Sequence, residues 1–164
     1  MSGVIKLRFV TSNDAISAAI RDSENFWLSH VECVTPKGKY LGAHYDGGIQ
    51  AREPGYDKAK LKTEVFVNLP ATDKEEADFY AYLESHIGEP YDFQSILCFV
   101  VHADMHAKDH AICSAAITEG LTTGANWFPA PLAEPSYKIS PRDLFLILSA
   151  FVDVREKGVT LDAV

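Results

Sequence analysis

The sequence predicts an α+β fold in which a small antiparallel sheet packs against helices. Three observations lead there. Short segments with strand-like alternation crowd the first seventy residues, as half-buried strands do. A turn signal at Pro36-Lys37-Gly38 folds one of these segments back on its predecessor. Helical spacing and capping signals take over from Thr72 onward, and strands first with helices after them argue against a parallel, doubly wound sheet. A length of 164 residues suits one domain, spanning residues 1–164, with a single filled core.

The elements follow in order. Val4 to Val10 reads as a strand, with period-two alternation in its middle. Thr11-Ser12-Asn13 offers N-cap chemistry for a short helix around Asp14 to Arg21. Phe26 to Val34 and Tyr40 to Tyr45 form a hairpin closed by Asp46-Gly47-Gly48. Ile49 to Arg52 and Glu64 to Leu69 supply further strands. Thr72 with Glu75 makes a capping box for a helix in which Ala77, Tyr80, Ala81 and Leu83 share helical spacing. Phe93 to Val101 and Ile112 to Leu121 are apolar enough for buried helices. Residues from Thr122 to Pro135 are loop-like, and Ser140-Pro141 opens a last helix through Val152 with a proline at its first position.

Composition narrows the function classes. A formal net charge of −8 without a Lys/Arg cluster argues against nucleic-acid binding. No run approaches the eighteen apolar residues of a membrane span. The first residues lack the basic-then-apolar layout of a secretory signal, and Arg8 interrupts the early apolar run; the expected location is the cytosol. Three cysteines, with no CxxC pair, suit a reducing compartment where a cysteine is either core filler or a reactive thiol.

Cys113 opens an apolar helix after a polar stretch. There the positive end of the helix dipole and unpaired N–H groups favour a thiolate and can hold an oxyanion. His30 lies on a strand, and alternation puts it on one face with Glu32 while Val31 and Cys33 take the other. If residues 35–39 form the hairpin loop, Val34 pairs with Tyr40, and counting back sets His30 opposite His44. A second imidazole across the strand can orient the first, as the third member of a catalytic triad does, with Glu32 and Asp46 as alternatives. Cys33 and Cys98 read as core residues.

These residues resemble a family. Ser29-His30-Val31-Glu32, Leu41-Gly42-Ala43 before a Gly-Gly turn, Gly88-Glu89-Pro90-Tyr91-Asp92 and Cys113-Ser114, in that order, resemble the circularly permuted branch of the NlpC-type papain-like cysteine peptidases. Its relatives include YiiX-like proteins and lecithin retinol acyltransferase. The resemblance implies a papain-like, circularly permuted fold, Cys113 as nucleophile and His30 as base, with Tyr91 bordering the substrate site. Members vary at the third triad position, where some have Glu; the matching stretch here ends in His44. The implied chemistry is hydrolysis or acyl transfer on a peptide, amide or lipid ester, with no metal and no organic cofactor.

Two rival readings come from other classes. One is a catalytically silent binding or structural module of the same fold. The other is a zinc protein using His102, His106 and His110, which recur every four residues near Asp104 and Asp109. The polarity of residues 103–109 is that of a solvated loop, which would break the periodicity.

Overall fold

A computed structural model describes residues 3–90, 113–151 and 161–162. Its element order is β1 (Gly3–Ser12), α1 (Ala15–Glu24), β2 (His30–Val34), β3 (Tyr40–His44), β4 (Gly48–Arg52), β5 (Leu61–Ala71), α2 (Asp73–Ser85), α3 (Cys113–Glu119), α4 (Pro141–Phe151) and β6 (Leu161–Asp162). The strands form one sheet in the order β4-β3-β2-β1-β5-β6, with every neighbouring pair antiparallel. The expected class, an α+β fold with an antiparallel sheet against helices, is what the chain adopts.

Strand alternation divides the sheet into two chemically different faces. Ile5, Leu7 and Phe9 of β1, Val31 and Cys33 of β2 and Val65, Val67 and Leu69 of β5 are all buried in one apolar cluster with Phe79 and Leu83 of α2, Ile117 of α3 and Leu144 of α4. Phe145 of α4 meets Phe9 edge-on, with ring centroids 5.1 Å apart, a favoured aromatic geometry. The Tyr80 hydroxyl of α2 donates to the Val34 carbonyl at 2.8 Å and so ties that helix to β2.

Two helix starts follow their sequence signals. At α2 the Thr72 side chain accepts from the Glu75 N–H, and the Glu75 carboxylate accepts from the Thr72 N–H. At α4 Ser140 and Asp143 make the same reciprocal pair. Elsewhere the boundaries moved. The cap of α1 is Asp14, whose carboxylate accepts from Ser17 N–H at 2.8 Å, because Thr11 and Ser12 stay in β1 paired with β5. Strand β2 begins at His30, not Phe26; Phe26 instead packs its ring near Phe145. After α3 the chain widens into a looser turn over Gly120–Gly124. The apolar run from Phe93 to Val101 lies outside the described residues.

Candidate active site

The β2–β3 hairpin positions the first group of polar side chains. Val34 pairs with Tyr40 and Cys33 with Leu41. Extended along both strands, this register sets Glu32 opposite Gly42 and His30 opposite His44. Glycine at position 42 has a steric cause: a Cβ there would sit 2.9 Å from the Glu32 Cβ. The bare backbone of β3 at this position leaves room for Glu32. The rings of His30 and His44 then come together, with centroids 5.0 Å apart and planes tilted by 39°.

Glu32 is the hub. It is fully buried, yet its two oxygens are engaged in different directions. Oε1 accepts from Arg8 Nη1 at 2.5 Å. Oε2 accepts from the Tyr56 hydroxyl at 3.2 Å and faces Nε2 of both histidines, at 3.4 Å for His44 and 3.8 Å for His30. The second of these is an ion-pair contact longer than a hydrogen bond. Arg8 itself is 1% exposed and spreads its guanidinium over three carboxylates: Nη1 on Glu32, Nη2 on Asp57 at 2.9 Å and Nε on Glu64 at 2.7 Å. Its carbon centre lies 4.4 Å from the middle of the Tyr40 ring. Arg8 and Glu32 are direct cross-strand partners on β1 and β2, so the polar network crosses the centre of the sheet, on the face opposite the apolar cluster.

Helix α3 packs against β2 and β3 and begins with Cys113, which is buried and meets the His30 imidazole. Burial alone would lower the His30 pKa. The neighbouring Cys113 and Glu32 more than reverse this and push it up to about 10. His44 behaves oppositely. Burial and the charge of His30 lower it to about 3, against the pull of Glu32. Two imidazoles in one cluster are thus driven apart, one toward the cation and one toward the neutral ring, a separation that suits division of labour. Burial disfavours ionisation of Glu32, but His30, Arg8 and His44 outweigh it and hold its carboxyl below the usual range.

A cleft of about 240 Å³ opens beside the imidazoles. Asp14, Ile16, Ile20, His30, His44 and Lys60 are among its walls. Ligand sites for drug-sized molecules start near 300 Å³, so this space is smaller than such a site.

Of the residues singled out in the sequence, His30, Glu32, His44 and Cys113 come together here. Asp46 is turned instead to Arg52, its ion-pair partner. Cys33 is fully buried on the apolar face, and burial pushes its thiol pKa well up. Tyr91, Cys98, His102, His106 and His110 lie outside the described residues. Sequence reasoning passed over Arg8, Tyr56 and Asp57. For Arg8 a signal existed, a cation inside an apolar strand register with Glu32 on the partner strand; for the 53–60 loop there was none.

No protein-family model matches the sequence, and no curated protein matches it either. Among solved structures the chain is similar to the metalloprotein YiiX from Escherichia coli O157:H7, at a TM-score of 0.60 over 96% of this chain and 87% of that one, with 14% identity. The likeness is one of fold. Among the described residues no helix is long and apolar enough to cross a membrane.

Proposed function

We propose that the protein is a thiol hydrolase of amides or esters, with Cys113 as nucleophile and His30 as its proton partner. The observation that carries this reading is the Cys113–His30 contact, backed on the far side of the imidazole by a buried carboxylate. His30 takes the thiol proton. The Cys113 sulfur attacks the substrate carbonyl carbon, and the backbone N–H groups at the start of α3 receive the developing oxyanion. The C–N or C–O bond then breaks, and the leaving group takes the His30 proton. Water, deprotonated by His30, cleaves the resulting thioester and regenerates the thiol. Glu32 holds the His30 ring and its charge, and His44 packs against that ring as a neutral neighbour. Among the described residues Cys33 and Cys113 are free, which suits a reducing compartment such as the cytosol.

Brief treatment of native protein with iodoacetamide, followed by mass analysis of each cysteine, tests the reading. Cys113 labels first, and Cys33 labels only after unfolding. An activated short-chain ester should acylate the unaltered protein and leave Cys113→Ala and His30→Ala without adduct. Slow, equal labelling of all three cysteines and no adduct would favour the silent binding module.

A further inference from the structure

One ligand atom each from His30, Glu32 and His44 lies within 4.8 Å of the other two. Two of these residues have a buried nitrogen without a hydrogen-bond partner, His30 Nε2 and His44 Nε2. His44 is 5% exposed, so water does not readily satisfy that nitrogen, and an unpartnered buried polar atom calls for an explanation. Both nitrogens face the same oxygen, Glu32 Oε2.

The geometry points to a second use of these atoms: a transition-metal site of the Zn²⁺ class that switches the thiol off. The inference rests on the thiol reading, because what it switches is the proton partner of Cys113. Zinc bonds nitrogen and oxygen at about 2.0–2.1 Å, which in a tetrahedron places ligand atoms about 3.3–3.4 Å apart. The Glu32–His44 separation of 3.4 Å already meets this, and the Glu32–His30 separation of 3.8 Å needs a closure of only a few tenths of an ångström. Two imidazoles and one carboxylate, with a fourth position left for water, form a usual zinc set.

The surroundings suit the ion as well. Glu32 is held by Arg8 through its other oxygen, and Nδ1 of His44 lies 3.5 Å from the Tyr56 hydroxyl. Such outer partners aim metal ligands and fix their tautomers. Once His30 gives up its proton, carboxylates outnumber the single guanidinium of Arg8 in this cluster, which favours a cation. The consequence for the thiol follows from the ring. A neutral imidazole bound to metal through Nε2 carries its one proton on Nδ1. It then has no lone pair with which to take the thiol proton, so metal and thiolate exclude each other.

Calorimetry with zinc chloride, run on unaltered protein, Cys113→Ala and His44→Gln, tests this alongside the iodoacetamide rate of Cys113 with and without one equivalent of zinc. The expected result has four parts. One zinc binds per chain and is retained in Cys113→Ala. Affinity falls at least about 10–100-fold in His44→Gln, and Cys113 labelling slows at least about tenfold with metal. Cobalt substitution of the unaltered protein adds a check independent of any variant's folding: tetrahedral visible bands without a thiolate charge-transfer band. No zinc uptake by a protein whose Cys113 still labels quickly overturns the metal site and leaves the thiol reading standing. Zinc held equally by His44→Gln places the ion elsewhere and also overturns it, as does labelling unchanged or accelerated by bound metal. Zinc uptake as described, with Cys113 unreactive even in its absence, refutes the thiol reading and with it the switch.

Discussion

Replacing Arg8 by Met should be among the most damaging single changes to this fold. Met keeps the apolar stem and removes the charge, leaving Glu32, which is fully buried, and Asp57, whose side chain is 8% exposed, without their cation. Glu64, with its side chain 25% exposed, can turn to water and adds little. Breaking a buried ion pair by deleting one partner costs about 3–5 kcal/mol. Against a total stability of about 5–15 kcal/mol, that is a large fraction. For a chain of this size it corresponds to a fall in Tm of about 6–20 °C. Urea titration gives the free energy, and the slope of the transition reports whether unfolding stays two-state.

Coupling decides between a network and a set of independent contacts. In Arg8→Met combined with Glu32→Leu the Arg8–Glu32 pair is gone from both sides and only Asp57 loses its cation, so the double variant should be more stable than the sum of the single losses implies. Arg8→Lys refines the test. The guanidinium serves three carboxylates through three separate nitrogens, and a single ammonium lacks that fork. It should recover part of the stability but not the fixed pose of Glu32, so Cys113 labelling should be slower than in the unaltered protein. A loss below about 1 kcal/mol for Arg8→Met, the range of an exposed ion pair, would refute the reasoning, and so would strict additivity of the two single changes.

Stability should peak near the ordinary histidine pKa of about 6.5 because the two imidazoles are shifted in opposite directions. His30, raised to about 10, contributes fully below 6.5 and loses its contribution as pH rises through 10; His44, lowered to about 3, contributes fully above 6.5 and loses its contribution as pH falls toward 3. Around them stand Glu32, Arg8, Tyr56, Asp46, Arg52 and the Cys113 thiol, of which Glu32 adds to the acid limb. Urea midpoints across pH should show His30→Gln flattening the alkaline limb and His44→Gln flattening the acid limb; unchanged limbs would remove the shifts. Gly42→Ala should cost about 1–3 kcal/mol, as overpacking does, and slow Cys113 labelling, because the added methyl lands on Glu32; full labelling at native rate would show that the strand gap is not needed. Cys33→Ala should destabilise without touching Cys113 labelling, since Cys33 faces the apolar cluster.

The parts legible in the sequence were those set by local rules. A five-residue connection at 35–39 fixes the β2–β3 register, and period-two alternation puts His30 and Glu32 on one face. The capping box at Thr72 is a four-residue pattern and stands where it was read. The start of α1 was misplaced because Thr11 and Ser12 are as good at extending a strand as at capping a helix, and pairing with β5 decided for the strand. Arg8 escaped notice because its partners come from three distant stretches, β2, the 53–60 loop and β5. An arginine in a strand looks like an interruption until those carboxylates are in place. The identity of the group facing His30 Nε2 is tertiary information of the same kind: register put His44 across the strand, but the acceptor oxygen aimed at that nitrogen belongs to Glu32.

That oxygen ties reactivity to folding. Glu32 is anchored at Oε1 by a guanidinium that is itself fixed from two other elements, so Oε2 has little freedom in where it points. A carboxylate free to rotate would settle on one imidazole and leave the other alone. Held as it is, Oε2 stands within ion-pair reach of both rings and next to the Tyr56 hydroxyl. The result is a site whose default is divided: one ring held as a cation against a thiol, the other held neutral with a lone pair available. A proton on His30 Nε2 or a metal ion bridging both rings satisfies the same oxygen, and only one of the two can be present at a time. The competition between them therefore originates in β1, where Arg8 fixes the direction of a side chain two elements away.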